Sequence, residues 1–131
     1  MIQRIQSVYL LLIAGIMLAM PFFLPIHKPE ESLFSFSLYV SPTVALLVAL
    51  MAFITIFLYK KRKLQIRLGY WMSVFILLVC LSIACSYYAF ENKMIFYLAM
   101  ILSAVAFIFD CMAIAKIKKD EKLVKSLDRI R

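Results

Sequence analysis

Residues 94–115 read MIFYLAMILSAVAFIFDCMAIA, an unbroken apolar run carrying one acid. About 20 helical residues at 1.5 Å rise cross a hydrocarbon layer of about 30 Å. Backbone groups in lipid must be satisfied within the segment, so the run predicts a membrane-spanning helix. Along that helix Ala99, Ser103, Ala106, Asp110 and Ala113 fall at spacings of four, three, four and three. They form one seam of small and polar groups, the kind along which membrane helices approach closely. Leu98, Ile101, Leu102, Val105, Ile108, Phe109 and Met112 fill the rest of the surface and suit lipid.

Three further apolar runs precede it, at about residues 5–25, 42–59 and 68–90. None alternates as a membrane β-strand does, so the expected fold is all-α: a four-helix transmembrane bundle over residues 1–131, a single integral membrane domain. The composition agrees. Of 131 residues 66% are hydrophobic and 17% charged, and no soluble core of this size buries so much apolar side chain. Ala45, Ala49 and Ala52 offer a packing seam on the second run, and Gly15 with Ala19 one on the first. The first run lacks the small-x-small cleavage site of a signal peptide and reads as a retained span.

Punctuation falls between the runs. Pro21, Pro25 and Pro29 close the first, since proline removes a donor and clashes with the preceding turn. Ser41-Pro42 suits the start of the second, as cap and first helical residue. Between them Phe34–Val40 alternates as a short extended segment would. Glu91-Asn92-Lys93 is long enough for a tight helical hairpin.

Net charge is +8, but the cations flank apolar runs instead of forming a basic folded face, which argues against nucleic acid as a partner. Of the 15 Lys and Arg residues, 13 lie before the first run, between the second and third, or after the fourth. The positive-inside rule then places both ends in the cytoplasm. The expected partners are a bilayer with an anionic cytoplasmic leaflet and a membrane protein or a second copy of the chain.

Catalytic signals are sparse. Cys80, Cys85 and Cys111 all lie within runs without metal or redox spacing, and read as small buried hydrophobes. His27 stands alone and reads as a loop residue. There is no phosphate loop, nucleophile elbow or paired carboxylate, so no catalytic residue, cofactor site or metal site is expected.

Asp110 is the candidate functional or structural acid. It lies about 9 Å along the helix from Lys116. An acid at that depth faces the bundle or water. Two solutions are open: ionised and paired with Arg4 or the 60–67 bases, or protonated and bonded to Gln3, Gln6 or Ser7. The shallow depth favours structural glue over a proton-coupling role. After it, KIKKDEKLVKSLDRIR (116–131) sets Ile117, Leu123, Val124, Leu127 and Ile130 on roughly one side. This predicts a cytoplasmic amphipathic extension of the fourth helix.

The opening MIQRIQSVYLLL and the ending KIKKDEKLVKSLDRIR resemble a bacterial family of small four-span integral membrane proteins of unknown function. MIQRIQ and DEKLVKSLDRIR are its distinctive parts. The resemblance implies an inner-membrane address and four helices, and brings no activity with it. The functional expectation is therefore a non-enzymatic structural, assembly or regulatory protein, the alternative being a subunit of a small oligomeric carrier coupled through Asp110.

Overall fold

The computed structural model describes residues 2–24, 32–89 and 93–131, and they form four helices. These are α1 (Ile2–Phe23), α2 (Ser32–Phe57), α3 (Arg62–Ala89) and α4 (Lys93–Ile130). All four are long and apolar enough to cross a membrane, with peak mean hydropathies from 2.0 to 2.3.

Neighbours in sequence pack against each other, and α4 closes the ring on α1. Among the described residues neither diagonal pair is in contact. Side-chain pairs fix the directions: Ser37 with Ser86 and Thr55 with Gln65 make α2 and α3 antiparallel. Ser73 with Asp110 and Tyr87 with Tyr97 do the same for α3 and α4. Gln6 with Asp120 and Tyr9 with Phe109 do so for α1 and α4. The result is an up-down-up-down bundle. One end gathers the start of α1, the α2–α3 turn and the last third of α4, hence most of the basic residues.

The core is a thin column of Leu10, Ile13, Met17, Met20, Val48, Met72, Ile76, Ile83 and Phe96, with Ala45, Ala49 and Ala52 against it. Outside it, Leu11, Leu50, Leu81 and Ile101 are each about 60% exposed. Large apolar side chains facing outward on all four helices suit a bundle surrounded by lipid.

Several boundaries differ from the sequence reading. α2 begins at Ser32, so Phe34–Val40 is helical and not extended, and Pro42 sits inside the helix. Next to the proline the Thr43 hydroxyl donates to the carbonyls of Tyr39 and Val40, 2.9 Å each. Such bonds return a hydroxyl to its own helix; the carbonyl to which Pro42 cannot donate is that of Leu38, four residues back. α3 begins at Arg62, within the basic cluster, leaving only residues 58–61 as connection. α1 tolerates Pro21 because the helix ends two residues later, with Leu24 N still bonded to Met20 O at 3.2 Å. Gly15 faces outward with nothing within 4 Å of a Cβ built on it, so α1 packs through Leu10, Ile13, Ala14 and Met17 and not through Gly15 and Ala19. Cys85 and Cys111 are likewise exposed on the outer face, and Cys80 is half-buried. They belong to the outer surface more than to the core. Pro25, His27, Pro29 and the Glu91-Asn92 turn lie outside the described residues.

Candidate functional site

α4 sets its small-residue face toward the bundle. Ala99, Ser103, Ala106, Asp110 and Ala113 are all buried, and the row continues through Ile117 to Asp120. Ser103 returns its hydroxyl to Met100 O at 2.8 Å, which lets it stay buried without a partner on another helix.

Asp110 is fully buried, and its partner is none of those expected from the sequence. The Ser73 hydroxyl on α3 donates to Asp110 Oδ2 at 2.5 Å, and also lies 3.1 Å from Gly69 O. Asp110 Oδ1 is buried without a hydrogen bond. Four residues from Ser73, Gly69 makes the approach of α3 to α4 possible: a Cβ built on it would come 2.7 Å from Ile114 Cγ1. The bases of 60–67 stay away from Asp110 because α3 starts early. Its first turns already lie past Asp110, opposite residues 114–121 of α4.

Those turns carry a second polar cluster. The Gln6 amide of α1 donates to Asp120 Oδ2 of α4, two buried side chains 114 residues apart. Arg62 donates to the main-chain carbonyl of Asp120 at 3.3 Å. Gln65 donates to Thr55 O at 2.9 Å, near the end of α2. That carbonyl belongs to the last turn of a helix, where four acceptors lack intrahelical partners, so Gln65 acts as a cap supplied from a neighbour. Lys118 adds a bond to the Tyr70 hydroxyl, its ammonium 5.0 Å from the ring centroid. The bonds run from α1 to α4 to α3 to α2 and clasp the basic end of the bundle.

This clasp was missed in the sequence, where residues 116–131 read as an amphipathic extension and Asp120 is not singled out. A signal exists: Asp110, Ala113, Ile117 and Asp120 continue the seam at spacings three, four and three. Asp120 thus belongs to the buried face and not to the tail. At the opposite end Tyr87, Tyr88 and Tyr97 stack edge to face, and with Ala84 and Met100 line a cleft of about 220 Å³. Among the described residues no group of three His, Cys, Asp or Glu side chains is placed to hold a metal.

Fold and site together define a four-helix bundle of membrane-spanning length with a buried apolar column and a polar clasp at one end. The chain belongs to the family described as a domain of unknown function (DUF4293), whose model matches residues 2–130. No curated protein and no solved structure matches it.

Proposed function

We propose that this chain is a non-enzymatic protein of the bacterial inner membrane, with both ends in the cytoplasm, that works as a structural, assembly or regulatory partner of other membrane proteins. One observation carries the reading. Beyond Asp120, α4 continues for ten residues with Leu123, Leu127 and Ile130 exposed at spacings of four and three. Around that row stand the charged and polar Glu121, Lys122, Lys125, Ser126, Asp128 and Arg129. Among the described residues no other helix covers the apolar row, which makes an amphipathic face suited to a partner helix. The orientation is supported by the charge: the three basic segments meet at one end of the bundle.

The test is co-purification of the full chain from native membranes in mild detergent, beside Leu127→Lys/Ile130→Lys. The expected result is a stoichiometric companion, either another protein or a second copy, that the double variant loses while its melting temperature stays unchanged. A monomer without companions in both cases counts against the reading.

A second reading has its own observation, the buried and unpartnered Asp110 Oδ1. Intramembrane acids mark ion pathways, and a subunit of an oligomeric carrier would use Asp110 as its coupling group. Proton or substrate flux in proteoliposomes, abolished by Asp110→Asn at unchanged stability, would select it.

A further inference from the structure

Lys60, Lys61, Arg62 and Lys63 follow one another through the α2–α3 turn and into α3. The bundle sets this turn against α4. With Tyr59, Leu64, Glu121, Val124 and Lys125 the four basic residues line an open groove of about 710 Å³.

The groove's charge is largely uncompensated. Its one carboxylate, Glu121, is engaged by Lys125 Nζ at 3.2 Å. Arg62 turns inward to Asp120 O. Lys60, Lys61 and Lys63 remain exposed, and the Lys125–Glu121 bridge is the one ion pair among the described residues. The first turn of α3 contains no acid, so the cations also stand at the positive pole of a 28-residue helix. Both features favour an anion in the groove.

The surroundings choose among anions. The groove opens two residues past Phe57, where the apolar span of α2 ends. Tyr59, Leu64 and Val124 give it an apolar rim, each at least 39% exposed. A free phosphate leaves that rim unused. A phospholipid uses both halves of the surface, and the spans hold it at that depth. We infer that this groove binds one anionic phospholipid, Lys60, Lys61 and Lys63 meeting the headgroup phosphate, and Tyr59, Leu64 and Val124 meeting the glycerol and first acyl carbons. This goes beyond the partner reading of the tail and stands without it.

The experiment is native mass spectrometry of the full chain in detergent, titrated with phosphatidylglycerol or with phosphatidylethanolamine of the same acyl chains. The wild type is expected to retain one phosphatidylglycerol and little phosphatidylethanolamine. Each lysine near an anionic surface contributes roughly a fivefold factor, so Lys60→Gln/Lys61→Gln/Lys63→Gln should weaken retention by on the order of a hundredfold. Lys119→Gln/Lys122→Gln/Arg129→Gln, equal in charge but outside the groove, should change it less than about threefold. Glycerol phosphate at matched concentration should not displace the lipid. Equal retention of the two lipids by the wild type would overturn the inference, and that comparison needs no variant to fold. Equal losses in both triple variants, or displacement by glycerol phosphate, would overturn it too. So would a bound acidic protein in place of lipid.

Discussion

Gly69 and Asp110 are neighbours across the α3–α4 seam, and each carries a prediction. Gly69→Ala drives its methyl against Ile114 Cγ1, a branch that the stiff χ1 of a helical isoleucine holds near one position. Overpacking of this kind costs about 1–3 kcal/mol, to be read from thermal or denaturant unfolding in detergent. Ile114→Ala removes the obstructing atoms, so the loss should shrink in that background; a double-mutant cycle without coupling would show that the helices meet elsewhere. At Asp110 the carboxyl has one bond from Ser73 and one orphan oxygen. Asp110→Asn keeps shape and leaves the serine an acceptor, so stability should stay within about 1 kcal/mol of wild type or rise. Asp110→Leu adds bulk where nothing is exposed, and Ser73 falls back on Gly69 O at 3.1 Å, so the cost there is overpacking and not a stranded hydroxyl. A large loss in Asp110→Asn would instead reveal an ionised carboxylate held by a base.

The four helices differ in what their sequences disclose. Apolar runs of 18–23 residues state their own identity, because lipid leaves a buried backbone no alternative to the helix. The inward face of α4 is legible too, since Ala99, Ser103, Ala106, Asp110 and Ala113 keep the 3.6-residue period. Where residues also face lipid the same cue misleads: Gly15 and Ala19 have the spacing of a seam yet Gly15 points outward, because small residues are tolerated on either side. Helix starts are less legible still. Ser41-Pro42 looks like a beginning, but α2 runs through it from Ser32, one proline costing a long apolar helix a single bond. Partners across helices depend on register, which no local pattern encodes, so Ser73 for Asp110 and Gln6 for Asp120 emerge only from the assembled bundle. The clasp at this scale is testable. Asp120→Ala leaves the buried Gln6 amide unpaired and should cost about 1–3 kcal/mol. Gln6→Leu in the same background, removing the other polar group, should recover part of it. Hydrogen exchange should locate the loosening at the start of α1 and in residues 117–130 of α4. Protection unchanged there in Asp120→Ala would mean that the apolar packing of Ile117 alone holds the end closed.

For the whole molecule, parity and charge are separate arguments that meet in one topology. Parity comes from the bundle: four antiparallel helices put the start of α1 and the end of α4 at the same end, where Gln6 meets Asp120. Which side of the membrane that end occupies follows only from charge, with 13 of 15 Lys and Arg residues gathered there. Reporters fused after Arg131 and within residues 58–61 should therefore read cytoplasm, and one placed between Leu24 and Ser32 should read the opposite side. The two arguments fail differently. If all three reporters invert together, the bundle stands and the charge reading is wrong. If the fusion after Arg131 and the one within 58–61 disagree, α3 and α4 do not both cross, and the up-down-up-down arrangement itself is broken. The charge argument can also be pushed. Changing residues 60–63 to glutamine while adding four lysines between Leu24 and Ser32 cuts the basic excess from 13 against 2 to 9 against 6, and should yield a mixture of orientations within one preparation. A single unchanged orientation would mean that α1 or the seven basic residues after Ala115 set the topology without the cluster after α2, and that this cluster is kept for what it binds.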